Sequence, residues 1–310
     1  MRILFLGAGA IGGYFGGRIA QANGDVTFLV RENRASQLAH GLHLESPLGD
    51  ATVNVKTITT GEPAGPFDVI VLTCKAYGID DALEAISEHL QGNAVILPLL
   101  NGYQHLEQIE ARFPNTTVWG GVAQIPATLA SDGTVRHLGT LQGLIVGARL
   151  GQEATRSKAD EFAATARNAG IDARLSDSIE QDMWDKWVFL ATLAAGTCLT
   201  RSNVGEILET DQGEALLLGL LSECSDVAAK EGFCPDEKRM AGYRGQLTDR
   251  SSTGAASMLR DLQQGNPIEA EHIIGNLVKR ARASSIPTPR LDTAWVCLQR
   301  HETSRKTALA

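Results

Sequence analysis

Six residues near the amino terminus, GAGAIG (Gly7 to Gly12), lie between two apolar runs. RILFL (Arg2–Leu6) precedes them; a helical stretch, GYFGGRIAQAN, and then VTFLV (Val26–Val30) follow. Strand, G-x-G-x-x-G, helix and strand within about thirty residues is the context in which this glycine pattern signals dinucleotide binding. The three glycines serve different mechanical ends. Gly7 allows the tight turn, Gly9 the approach of a pyrophosphate, and Gly12 the packing of the helix on the strand. Ile11 fills the loop between them and counts among the expected cofactor contacts. The helix that follows offers free N–H groups and the positive end of its dipole to phosphate.

The end of the second strand sets the cofactor. An acid there binds the ribose 2′-hydroxyl of NAD, whereas a cation accommodates the 2′-phosphate of NADP. The chain reads LVREN, so Arg31 leads and Glu32 follows, pointing to solvent or pairing with Arg34. A guanidinium fork suits phosphate, and NADPH is the expected cofactor. Two further runs, FDVIVLTCKA and NAVILPLLNG, end in Lys75 and Asn101 with the helical GIDDALEAISEHL between them. Ligands of open α/β sheets sit outside the carboxyl ends of strands, where the glycine loop, Arg31, Lys75 and Asn101 all fall. TVWGGVAQI, TVRHLG and GLIVGA read as strands extending the same sheet, with His137 structural, before a helix near 154–169 and the short segment IDARLS.

Beyond Asp177 the strand signals fade. Apolar residues at helical spacing run through ALLLGLLSECSDVAAKEG, TGAASMLRDLQQG, PIEAEHIIGNLVKRARASSI and 291–300. With 310 residues, the expected organisation is a nucleotide-binding domain over 1–176 and an all-α domain over 177–310, with the cleft between them as the active site. Composition narrows the rest. A net charge of −8 with no basic cluster excludes nucleic acid, and KRARA (Lys279–Ala283) reads as a solvated helix face. Five dispersed cysteines fit a reducing cytoplasm, and His40 and His43 lack the company a metal site needs. The first seventeen residues imitate a signal peptide, but the glycines fit the nucleotide loop better. No run reaches the roughly 20 apolar residues of a membrane span.

One segment asks for a chemical explanation. In DMWDKWVFLATLAAGTCLT (Asp182–Thr200) a single lysine, Lys186, opens a long apolar stretch. A buried ammonium costs free energy unless it is paired or used.

GAGAIG, LTCKA, LLNG, MWDKW and SMLRDLQQGNPIEAEHIIG, in this order, resemble the ketopantoate reductases (2-dehydropantoate 2-reductases) over nearly the whole chain. The resemblance implies a Rossmann-type α/β domain followed by an all-α domain like the C-terminal domain of 6-phosphogluconate dehydrogenase. It implies NADPH-dependent reduction of a 2-keto acid, ketopantoate first, in pantothenate and coenzyme A synthesis. By the same resemblance Lys186 is the catalytic proton donor and Glu269 the acid facing substrate and nicotinamide. Ser257 and Asn101 bind substrate, Asn101 also lying near the nicotinamide. Arg31 and Lys75 surround the 2′-phosphate. Asp261 and Gly275 also fall in their expected places.

The chain departs from the family pattern one and two turns beyond Lys186, where asparagines give way to Leu190 and Ala194. Positions i, i+4 and i+8 share a helical face, so the substrate wall becomes apolar. That leaves open a related reductase for a bulkier or more apolar 2-oxo acid, and, third, a dinucleotide-binding regulator without enzymatic activity. The glycine-rich substrate segment of β-hydroxyacid dehydrogenases is not found. The expected partner is a small-molecule substrate, with neither nucleic acid nor membrane, and a homodimer is left open.

Overall fold

The computed structural model describes residues 1–309. It divides into two compact units, Met1–Leu100 with His105–Asp182, and Asn101–Gln104 with Met183 onward.

The first unit runs β1 (Arg2–Leu6), α1 (Ala10–Gln21), β2 (Asp25–Leu29), α2 (Glu32–Leu38), β3 (Leu42–Glu45), β4 (Ala51–Val53), β5 (Lys56–Ile58) and β6 (Val69–Leu72). It continues with α3 (Ile79–Ile86), β7 (Val95–Pro98), α4 (Gln104–Arg112), β8 (Thr117–Val118), β9 (Gly120–Gln124), β10 (Ala127–Leu129), β11 (Val135–His137) and β12 (Gly143–Gly147). It closes with α5 (Arg156–Asn168) and β13 (Asp172–Leu175).

Strands β5-β2-β1-β6-β7-β8 form one parallel sheet. Both faces of its central strands are covered, which is why β6 and β7 are buried at every residue and read as unbroken apolar runs. Strand order turns at β1 and β6, so the loops after these two strands flank the topological switch point, the usual ligand position of such sheets. Phe5, Tyr14, Phe15, Phe28, Trp119 and Phe162 fill the core between the sheet and its helices.

The later strands do not extend this sheet as expected. Only β8 joins it; β12 pairs with β9 on one side and β13 on the other in a three-stranded sheet, and β11 joins β10, β3 and β4 in a four-stranded one. Apolar alternation marks a strand but not its partner, and these short strands are sorted by contact instead. At the start of β9, Gly121 lies so close to β7 that a Cβ would stand 2.7 Å from both the Pro98 carbonyl oxygen and Leu99. His137 is indeed structural: buried, it links Ser46 Oγ (3.0 Å) and the Leu141 carbonyl (2.9 Å).

The second unit is helical. It comprises α6 (Ile179–Thr200), which belongs to it from Met183 on, α7 (Val204–Leu208), α8 (Gly213–Lys230), α9 (Glu237–Leu247), α10 (Ser257–Gln263), α11 (Asn276–Ala283) and α12 (Pro289–Leu309). Helix α6 is buried on most sides, and its hydroxyls return to the preceding turn: Thr192 donates to the Val188 carbonyl and Thr197 to that of Leu193. A Cβ on Gly196 would stand 2.6 Å from Leu217, so this glycine lets α8 close on α6. Buried Glu223 of α8 accepts the amides of Arg290 (3.1 Å) and Leu291 (2.8 Å), an anion satisfying the N-terminus of α12. The helix expected after Pro267 is continuous over 270–283, but its first turn, Glu271–Gly275, is a π-turn before it runs on as α11. Among the described residues no helix is long and apolar enough to cross a membrane.

Candidate active site

The glycine loop of the first unit is shaped for a dinucleotide. Gly7 has φ +94°, a left-handed turn that favours glycine. A Cβ on Gly12 would collide with the Gly7 carbonyl oxygen and Thr73 Oγ1, both at 2.3 Å. Thr73, just past β6, in turn donates to the Leu6 carbonyl (2.9 Å) and the Gly7 carbonyl (3.2 Å), so the turn is held from the neighbouring strand. At Gly9 the reverse holds: apart from its two chain neighbours, no residue comes within 4 Å of a would-be Cβ. The backbone there is open to a ligand, and α1 begins next to it with no side-chain cap and no acid in its first turn. Ile11 is half-buried in that turn. This geometry fits a pyrophosphate.

Arg31 and Lys75 are exposed at the N-termini of the helices that follow β2 and β6. Arg34 does not pair with Glu32, one of the two options its sequence position allowed. Its guanidinium donates to the Ala8 carbonyl through Nε (3.1 Å) and Nη2 (2.8 Å), and to the Gly133 carbonyl through Nη1 (2.9 Å). Arg34 thus holds the glycine loop from behind, with donors matched to backbone oxygens. Its neighbour Arg31 masks it in the sequence, and the only sequence signal is a second arginine one helical turn further on.

The second unit gathers the expected catalytic groups. Lys186 Nζ donates to Asn101 Oδ1 at 2.9 Å. Burial pushes the Lys186 ammonium down to about 8, while the Glu269 carboxylate pulls it back up. Glu269 is 7% exposed and stands two residues before the π-turn. Asn101 reaches Lys186 from a turn that only glycine permits: Gly102 has φ +79°, and a Cβ there would stand 2.8 Å from the His272 ring. The tryptophans flanking Lys186 lie on a different face. Trp184 and Trp187 are buried in contact with each other, their ring centroids 4.7 Å apart, and Trp187 Nε1 donates to the Ile273 carbonyl inside the π-turn at 2.9 Å. Lysine, amide and carboxylate are therefore brought together by one aromatic block and one irregular helix.

The remaining expected residues lie on α6 and α10. Leu190 is half-buried one turn beyond Lys186, whereas Ala194 is fully sealed at 0% exposure. Ser257 is exposed at the start of α10, and the adjacent Ala256 amide donates to Thr197 Oγ1 at 3.4 Å. That anchor lies eleven residues past Lys186, about 16 Å along the helix axis. Among the described residues no cluster of histidine, cysteine, aspartate or glutamate could hold a metal ion.

Sequence models of the ketopantoate reductases PanE/ApbA match residues 3–151, and those of their C-terminal domain match residues 178–302. The chain belongs to the ketopantoate reductase family. It is an oxidoreductase of the kind acting on CH–OH groups, and its two units correspond to the Rossmann-type and helical domains of the family. An uncharacterized oxidoreductase of Bacillus subtilis, YkpB, is 35% identical over 306 residues, covering 98% of this chain and 100% of that protein. The crystal structure of 2-dehydropantoate 2-reductase from Geobacter metallireducens superposes with a TM-score of 0.87 at 27% identity, covering 97% of this chain and 99% of that one. D-mandelate dehydrogenase with NADH and anilino(oxo)acetate shares the fold, with a TM-score of 0.88 at 23% identity over 99% of this chain and 100% of that one. Three ketopantoate reductase features read from sequence, the glycine loop, Lys186 and Glu269, thus have defined structural settings; Arg34 and the π-turn lay outside that reading.

Proposed function

We propose that this chain reduces a 2-keto acid to the 2-hydroxy acid with NADPH, and that the keto acid is 2-dehydropantoate, giving pantoate for pantothenate and coenzyme A synthesis in the cytoplasm. The observation that carries the reading is the Lys186 ammonium, depressed to about 8 and held against Asn101 beside Glu269. A cation so placed stabilises negative charge growing on a carbonyl oxygen and has a proton to give at neutral pH. The likeness to the G. metallireducens 2-dehydropantoate 2-reductase supports the substrate.

The bound cofactor supplies the hydride, and the residues of the chain do the rest. Arg31 and Lys75 receive the adenosine 2′-phosphate, which is the ground for NADPH over NADH; Gly7, Gly9, Ile11 and Gly12 receive the pyrophosphate. Lys186 protonates the substrate oxygen. Asn101 orients that ammonium and faces substrate and nicotinamide, and Glu269 keeps the lysine charged. Ser257 binds the substrate, and Leu190 forms the apolar side; Ala194, expected to share that wall, is sealed within the helical packing and does not line it. The nucleotide-binding part is 1–176 and the catalytic part 177–310.

The test is a panel of 2-keto acids assayed by nicotinamide absorbance with NADPH and with NADH. Ketopantoate with NADPH is expected to give the highest kcat/KM. A bulkier apolar 2-oxo acid favoured by about tenfold or more, equivalent to roughly 1.4 kcal/mol at the transition state, would move the substrate assignment to the Leu190 wall. No turnover with any 2-keto acid would end the proposal.

Arg34→Ala gives a separate expectation. Removing hydrogen bonds worth about 1 kcal/mol each from the glycine loop should weaken NADPH and NADH alike, on the order of tenfold. Titration of nicotinamide fluorescence measures both. A loss confined to NADPH would mean that Arg34 meets the 2′-phosphate instead of the loop.

A further inference from the structure

The basic run Lys279–Ala283, a solvated face by its sequence, contains one arginine that is not solvated. Arg280 of α11 is half-buried, its guanidinium carbon 5.7 Å from the ring centroid of Tyr103, 5.6 Å from that of Trp184 and 6.0 Å from that of Trp187. From the other side Nη1 donates to Glu231 at 2.7 Å and Nε to Asn276 Oδ1 at 3.1 Å. The rings themselves form a block. Tyr103 stacks on Trp187 at 6.3 Å and 8°, and Phe233 stacks on Trp184 at 5.7 Å and 10°.

The origin of these rings gives the contact its meaning. Trp184 and Trp187 belong to the turn of α6 that carries Lys186. Tyr103 lies two residues after Asn101, the acceptor of the Lys186 ammonium, across the glycine turn. Trp187 is also tied to the Ile273 carbonyl in the π-turn that follows Glu269. A single planar cation therefore touches the supports of both the lysine and the amide. A guanidinium suits the position because it is flat, weakly hydrated and able to stack while its edge stays hydrogen-bonded; an ammonium would keep the charge and lose the stack.

We propose that Arg280 is a positioning residue for catalysis: by clasping Tyr103 to Trp184 and Trp187 it holds Asn101 at hydrogen-bonding distance from Lys186. The proposal rests on the reading of the Lys186–Asn101 pair given above, and its test separates the two.

The experiment is a double-mutant cycle on the full-length protein, with steady-state kinetics on the best 2-keto acid and NADPH affinity by nicotinamide fluorescence. Arg280→Met is expected to lower kcat about tenfold, since misplacement of a reacting group by a fraction of an ångström is costly, with NADPH affinity changed less than about twofold. Arg280→Lys, which keeps a cation opposite Glu231 and so preserves the ion pair, is expected to recover only part of that loss. In an Asn101→Ala background either Arg280 variant should cost less than about twofold more, because the group it positions is gone. Normal kcat in both Arg280 variants, or losses that simply multiply in the double variants, overturns the clasp while leaving the pair intact. A normal kcat in Asn101→Ala overturns the reading of the pair and the clasp with it. If Arg280→Met is insoluble, the cycle with Arg280→Lys decides between the same outcomes.

Discussion

Replacing Lys186 with alanine is expected to lower kcat for keto acid reduction by roughly a hundredfold or more, the range of a lost general acid, while NADPH binding changes little. The geometry dictates a second variant beside it. Asn101 Oδ1 accepts from Lys186 at 2.9 Å and Glu269 is buried in the ammonium's field, so alanine leaves an amide oxygen and a carboxylate without their cation. Unpaired buried charge is itself destabilising. Lys186→Gln retains an N–H donor for Asn101 but has no proton to transfer, and it should be nearly as slow as Lys186→Ala. Near-normal turnover in the glutamine variant would show that a neutral donor suffices and would remove the proton-donor role.

The pH profile checks the same assignment in the unaltered protein. Burial lowers the Lys186 ammonium from its usual value near 10.5 to about 8, against the opposing Glu269 carboxylate. Reduction uses the protonated form, so kcat should be level below about 8 and decline above it. Oxidation of the hydroxy acid uses the neutral amine and should rise through the same region. Lys186→Gln should abolish this limb in both directions. A profile that stays level to about pH 10, where an unperturbed lysine titrates, would place the titrating group elsewhere.

What was legible in the sequence and what was not divides along physical lines. The glycine loop was legible because its constraints are local: Gly7 answers to its own φ and Gly12 to the carbonyl of Gly7 in the same loop. Lys186 was legible because a charge in an apolar helix breaks a pattern. Its partner was less so. Asn101 is 85 positions away, and what delivers it is the left-handed Gly102 fitted against His272, a fit invisible before the chain is folded. Strand partners in the later part of the first unit were misjudged for a related reason. Alternation in β9, β11 and β12 records burial on one side and carries no address for the neighbouring strand. Arg280 was misread because charge on a helix normally faces water, and Arg34 was considered only as a possible partner of Glu32. Both instead give their donors to oxygens of the protein, and Arg280 meets aromatic faces besides. The sealed Ala194 belongs to the same class: helical periodicity put it on the face of Lys186 and Leu190, and packing then closed it from solvent.

The second large effect is expected at Arg31. Arg31→Ala should raise the KM for NADPH by one to two decades and that for NADH by less than about threefold, because a charge-assisted bidentate contact to phosphate is worth about 1.5–3 kcal/mol. The structural ground is its exposure. Arg31 is exposed at the end of β2, whereas Arg34, one turn later, is committed to the Ala8 and Gly133 carbonyls. Arg34 therefore cannot readily replace Arg31 without releasing the loop, and the two variants separate cleanly: Arg34→Ala weakens both nucleotides, Arg31→Ala mainly the phosphorylated one. Lys75, exposed beyond β6, would carry the residual preference, and Arg31→Ala with Lys75→Ala should bring NADPH and NADH level. Glu32, next to Arg31 and exposed, sharpens the inversion. With the cation removed, its carboxylate is the nearest charged neighbour in sequence, an acid that favours a ribose hydroxyl and repels a phosphate. Equal losses for NADPH and NADH in Arg31→Ala would place the discriminating contact away from the end of β2 and withdraw the case for NADPH that rests on it.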